Sequence, residues 1–143
     1  MSGCCDGFVA LGDKNFPEHR GNVKDSEKPV FLYYKGNIDL LSRSNKNISV
    51  IGLLNPSAEI EMREQKIVAQ LVKNGATIVS GLALGCDSIS HREALNSNGN
   101  TIAILPSPLT KILPTSNTSL AFQIVEEGAP NVLMNSVNNL LLI

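Results

Sequence analysis

The chain predicts an α/β fold, a parallel sheet with helices on both faces. Three observations carry that expectation. From residue 48 onward, short runs of β-branched and aliphatic residues alternate with longer stretches whose apolar positions recur at helical spacing. Glycine, proline or a capping residue marks each changeover. The strand–helix cycle also repeats, and repeated cycles of that kind close through right-handed crossovers into parallel neighbours.

Residues 1 to 29 are polar and broken by Gly12, Pro17, Gly21 and Pro29, which predicts an irregular lead-in. The remainder, 30 to 143, is expected to be the folded domain. Val30 to Tyr34 is a strand closed by Lys35-Gly36-Asn37, and Ile38 to Arg43 suits a short helix. Ile48 to Ile51 is a second strand ending at Gly52. Asn55, Pro56 and Ser57 then start a helix, Glu59 and Glu61 complement its positive end, and Ile60, Ile67, Val68, Leu71 and Val72 form its apolar stripe before Gly75 stops it. The cycle continues with a strand over 77–80, a helix over 87–96, a turn at Gly99 and a strand over 101–105. It finishes with a helix over 118–127, a stop at Gly128 and a strand near 131–134. The last six residues, Asn138 to Ile143, read as an apolar tail that packs on the sheet or belongs to a longer chain.

Composition narrows the function classes. At 143 residues, with 43% hydrophobic and 17% charged residues, the chain makes one domain with a real core. Its formal net charge of −1 confines any nucleic-acid contact to a local patch. Three cysteines, Cys4, Cys5 and Cys86, make neither a disulfide framework nor a zinc site. No basic leader or membrane-length apolar run is present, so the expected place is the cytoplasm, with no membrane partner.

The most informative stretch is Ser80-Gly81-Leu82-Ala83-Leu84-Gly85-Cys86-Asp87-Ser88-Ile89-Ser90-His91. A strand feeds a loop with glycines four apart and then a helix start, which predicts backbone amides converging on one point, a place for a phosphate. Leu82 and Ala83 belong to that loop as backbone contributors. Asp87 is expected to cap the helix by accepting from Ser90 or a neighbouring amide. His91, one turn on, either pairs with Asp87 or meets a ligand in the crevice.

Two more loops reach the carboxyl ends of the strands, Gly52 to Ser57 and Pro106 to Asn117, where ligands of open parallel sheets bind. Gly52 serves either a tight turn or a ligand. Three prolines stiffen the later loop, from which Ser107 and Lys111 offer side chains to an anion, while Asn117 with Ser116 reads as a helix N-cap. The turn Gly52-Leu53-Leu54-Asn55-Pro56 lacks the three-glycine dinucleotide pattern. A P-loop lysine and a nucleophile elbow are also missing, and His19 and His91 stand in unrelated contexts. Cys86 beside a helix start has no partner base and reads as a packing residue. No catalytic residue, metal or cofactor is expected.

The run Thr77 to Asp87 with His91 and Ala94-Leu95, followed by Gly99 to Leu105, closely resembles the DNA-processing protein A family (DprA, also called Smf). Flanking segments agree: Lys14-Asn15-Phe16-Pro17 and Leu32 to Leu41 before it, Lys111-Ile112-Leu113-Pro114 with Asn117 and Leu120 after it. The similarity runs from about residue 12 to residue 130. It implies a Rossmann-like domain that binds single-stranded DNA and helps load the recombinase RecA during uptake of transforming DNA, without catalysis and with a possible homodimer. Carried over by position, Gly52, Ser80, Gly81, Gly85, Asp87 and His91 match.

Three departures stand out. Leu53 and Leu54 occupy the places of the small residue and arginine usual in the family, so a phosphate-pairing guanidinium is missing. Pro106 and Pro108 replace common glycines, and the family continues beyond this chain's last strand through an Arg-rich segment. A competing class is a nucleotide-derivative sensor or a nucleoside-monophosphate-hydrolysing enzyme using the same crevice. The hydrolases carry a Pro-Gly-Gly-x-Gly-Thr loop that is missing here. A structural interaction module with an exposed apolar face at 132–143 is a third.

Overall fold

The computed structural model describes residues 5–17, 24, 28–126 and 131–137. Among these residues six strands form one sheet: β1 (Gly7–Ala10), β2 (Phe31–Gly36), β3 (Lys46–Ser49), β4 (Ala76–Ser80), β5 (Thr101–Leu105) and β6 (Val132–Val137), in the order β1-β2-β6-β5-β4-β3. Among the described residues three α-helices accompany them: α1 (Ala58–Lys73), α2 (Cys86–Asn96) and α3 (Thr118–Ile124). The fold is α/β and Rossmann-like, as expected, and β3, β4, β5 and β6 run parallel. The sheet as a whole is mixed, because β2 runs antiparallel to β6 and β1 antiparallel to β2.

That hairpin corrects the reading of residues 1–29 as irregular throughout. Gly7 to Ala10 alternates too briefly to register as a strand, yet pairing with β2 satisfies its backbone and puts Val9 in the core. The apolar tail 138–143, the residues Glu127 and Gly128 expected to end the last helix, and His19 lie outside the described residues.

Ser57 caps α1, its hydroxyl accepting from the Ile60 amide, and Glu59, Glu61 and Lys73 sit at the ends the helix dipole favours. Gly75, at φ +76°, turns the chain straight into β4. Side-chain alternation then sorts the core. Ile78, Ala103, Leu105 and Leu133 face the α-helices, meeting Val68 of α1, Ala94 of α2 and Leu120, Ala121 and Ile124 of α3. Ile102, Val132 and Met134 face the other way. All three α-helices therefore cover one face. A 3-10 helix, Ile38–Leu41, and Phe16 pack on the second, so each face carries helix as expected, α on one and 3-10 on the other.

Thr101 knots the centre of the sheet. Its amide donates to Asn131 Oδ1 at 2.8 Å, its hydroxyl donates to the Ile78 carbonyl at 3.0 Å, and the hydroxyl oxygen lies 2.6 Å from His91 Nδ1. With the hydroxyl proton engaged on β4, His91 Nδ1 must be the donor in the second bond. One hydroxyl thus joins β4, β5 and α2 in a fully buried position. Replacement Thr101→Val keeps the shape and strands two buried partners, so unfolding free energy should fall by about 1–3 kcal/mol. Urea titration of the two proteins checks this, with an unchanged slope showing that the fold is retained.

Candidate nucleic-acid interface

The loop between β4 and α2 is built around one carboxylate. Asp87 Oδ2 accepts from the amide of Gly81 at 3.0 Å and from that of Ala83 at 3.3 Å. A Cβ on Gly81 would sit 2.9 Å from the same oxygen. Two of the amides expected to await a phosphate are therefore already occupied by an anion of the chain itself. Asp87 reaches backward into the loop instead of forward to Ser90, so it shapes the turn and does not cap the helix.

The N-cap of α2 is Gly85, at φ +71°. A side chain there would collide with the carbonyls of Leu53 and Leu54, since the β3–α1 loop lies directly against it. The Cys86 amide donates to the Leu53 carbonyl at 2.9 Å and locks the two loops together. Gly52 completes the contact, because a Cβ on it would meet Cys86 Sγ at 2.7 Å. Ser80 donates its hydroxyl to the Val50 carbonyl at 2.8 Å, tying the end of β4 to the start of the same loop. Both Gly52 and Gly85 thus have a packing reason.

Leu82 is fully buried despite φ +60°, and its carbonyl, with that of Ala83, accepts from Asn117 Nδ2 at 2.9 and 3.1 Å. Asn117 therefore holds the loop from α3 instead of capping its own helix. Cys86 is buried, and the Glu64 carboxyl beside it, together with burial, holds its thiol above the ordinary value, in keeping with a packing role. Ser107 is buried, its hydroxyl without a hydrogen-bond partner among the described residues. Lys111 is exposed on a different cavity, described below.

His91 is buried completely and turned inward to Thr101, away from the crevice. Burial pushes its imidazole down to about 4, with the Asp87 carboxylate and the Ser80 backbone opposing that shift without overcoming it. The ring is neutral at physiological pH and holds α2 to β5.

What remains open lies beside this loop. A crevice of about 460 Å³ is bounded by Asn55, Gly85, Ser88, Arg92 and Asn117, with Glu61 on its rim. Of the first amides of α2, which have no intrahelical acceptors, that of Cys86 is taken by the Leu53 carbonyl, while the dipole adds partial positive charge at this end. Arg92 stands one turn beyond Ser88, its Nη1 3.5 Å from the Ser88 hydroxyl, which puts guanidinium and hydroxyl on one helix face. Neither Ser88 nor Arg92 emerged from the sequence reading. The signal was their i,i+4 spacing, masked by the more prominent Asp87 and His91. Among the described residues no cluster of metal-ligating side chains occurs, and no helix is long and apolar enough to cross a membrane.

The buried neutral histidine makes stability depend on acid. The unfolded imidazole protonates near 6.5 and the folded one only near 4, so the unfolded state binds the extra proton in that window. The histidine's contribution to stability should decline as pH falls from about 6.5 to about 4 and level off below, a loss on the order of 3 kcal/mol. In His91→Gln that pH-dependent share should vanish, as thermal midpoints across the range will show.

Comparison with known proteins agrees with this architecture. The family model for DNA recombination-mediator protein A matches residues 7–134. The chain is 39% identical over 123 residues to the protein Smf of Synechocystis, covering 85% of this chain and 30% of that one. It is 32% identical over 118 residues to the Smf protein of Borreliella burgdorferi, covering 82% and 36%. Among solved structures, DNA processing protein A of Streptococcus pneumoniae superposes with a TM-score of 0.74 at 30% identity, over 90% of this chain and 43% of that one. That of Helicobacter pylori, described for its single-stranded DNA binding mode, superposes with a TM-score of 0.67 at 28% identity, over 84% and 55%. The chain spans about a third of the length of the curated relatives it matches. With the model matching most of its residues, this chain belongs to the DNA recombination-mediator protein A (DprA/Smf) family.

Proposed function

We propose that the chain binds single-stranded DNA through the crevice at the start of α2 and acts by binding, without catalysis. The observation that carries the reading is the Ser88–Arg92 face, a guanidinium and a hydroxyl one helical turn apart at the positive end of that helix. The family membership and the single-strand binding of the Helicobacter pylori relative support it. In this reading the phosphate backbone lies against Ser88 and Arg92. Gly81, Leu82, Ala83 and Asp87 form the rigid floor, and His91 holds that floor to the sheet. Gly52, Ser80 and Gly85 keep the neighbouring loop in place, Lys111 extends the interface on its far side, and Ser107, being buried, stands behind that surface and not on it. Hand-over of the bound strand to RecA in the cytoplasm, and pairing of two copies, complete the proposal on family grounds.

Binding is expected to be weak and salt-sensitive. Arg92 is the cation on the crevice and Glu61 opposes it. Fluorescence anisotropy with a labelled oligo(dT) at low salt tests the proposal. Arg92→Ala should weaken binding several-fold and flatten the salt dependence by about one phosphate contact. Leu54→Arg, which restores a cation on an exposed position of the crevice wall, should tighten it. No binding by the unaltered chain at low salt would refute the proposal. A thermal midpoint raised by nucleotides and not by oligonucleotides would point to the nucleotide-sensing class instead.

A further inference from the structure

Four of the six aromatic residues of this chain are in solvent. Phe8 is 60% exposed, Phe31 42%, Tyr33 38% and Phe122 68%, while the core is aliphatic apart from Phe16 and Tyr34. Aromatic rings are the largest apolar groups available for burial, so concentrating them outside calls for a physical reason. Strand register shows where they gather. Phe8 pairs with Tyr33 and Ala10 with Phe31, so these rings share one face of the β1–β2 hairpin, the face on which α3 packs farther along the sheet. Ring centroids lie 6.3 Å (Phe8 to Phe31) and 6.0 Å (Phe8 to Tyr33) apart, tilted or edge-on, so the rings form a row and not a closed stack.

Lys35 follows two residues after Tyr33 on the same face and pairs in register with Leu133. There the row opens into a cavity of about 450 Å³ walled by Lys35, Lys111 and Phe122. Thr115 and Thr118 line this cavity, while Ser116 and Asn117, between them in sequence, line the crevice at α2. One 3-10 turn therefore separates the two openings.

The geometry points to a second contact for single-stranded nucleic acid. A strand leaving the α2 crevice crosses the turn at 115–118, meets the ammonium groups of Lys111 and Lys35 with its phosphates, and lays bases on Tyr33, Phe8 and Phe31. This rests on the single-strand reading of the crevice and extends it. Side chains two apart on a β-strand repeat about every 6.8 Å, roughly twice the per-nucleotide rise of a duplex strand, which suits an unstacked single strand. Rings in a row beside cations are the combination by which proteins hold single strands without reading sequence. Asp6 sets a limit: its carboxylate sits 3.3 Å from Lys35 Nζ and accepts from the Gly36 amide at 2.8 Å, so it partly neutralises the cationic end of the row.

The test uses the 143-residue chain with oligo(dT) of about 4 and about 15 nucleotides, the shorter filling the crevice alone and the longer spanning both contacts. The double variant Phe8→Ser/Tyr33→Ser should bind the short oligomer as the parent does and the long one about tenfold more weakly. Asp6→Asn keeps an acceptor for Gly36 while freeing Lys35, and should bind the long oligomer several-fold more tightly with a steeper salt dependence. Photocross-linking with 4-thiothymidine in the long oligomer covers the chance that the double variant loosens the hairpin: adducts on Phe8, Phe31 or Tyr33 of the parent support the proposal. Adducts confined to the α2 crevice, or equal affinities in parent and variants with binding intact, overturn it and leave the crevice reading standing. Loss of self-association in the double variant without loss of long-oligomer affinity would make the row a dimer surface and also overturn it. Failure of the parent to bind either length removes the crevice reading and this one together.

Discussion

The Asp87 carboxylate is the constraint on which this end of the molecule depends. A glycine-flanked turn between a strand and a helix leaves amides pointing inward, and without an acceptor each would carry the desolvation penalty of an unpaired donor. Asp87 supplies the acceptor from within the chain, taking the amides of both Gly81 and Ala83. The loop is consequently set before any ligand arrives. Asn117 reinforces it from below, Gly85 lets the neighbouring loop lie against it, and the buried Leu82 side chain anchors it in the core.

This internal anion also moves the place where an external one can bind. With the centre of the turn filled, the side-chain donors nearest to it in the crevice stand one turn along α2, at Ser88 and Arg92, where the proposed reading puts negative oxygen. The inward residues of that helix, His91 above all, belong to the sheet. A histidine that is neutral, fully buried and bonded to a threonine hydroxyl is a strut, and its motif-like spacing from Asp87 reflects two packing duties on one helix. Motif and proposed binding surface are thus adjacent without being identical.

Much of the architecture was legible in the sequence because periodicity reports burial. The strands over 101–105 and 76–80 and the helices over 58–73 and 86–96 lie within a residue or two of their expected places, since branched aliphatics, capping serine and terminal glycine act locally. The hairpin strand Gly7–Ala10 was not legible, because four residues carry too little pattern and their pairing partner lies more than twenty positions away. The antiparallel edge followed from that miss. At the site, residue types identified the right loop, but the direction of the Asp87 and Asn117 side chains depends on distant backbone that spacing cannot reveal.

The contact between Gly85 and the β3–α1 loop runs through main-chain carbonyls, with the side chains of Leu53 and Leu54 left facing outward. Support and decoration are thereby uncoupled at these two positions. A cation can replace either aliphatic side chain and change the charge of that outer surface, while the scaffold beneath stays as it is.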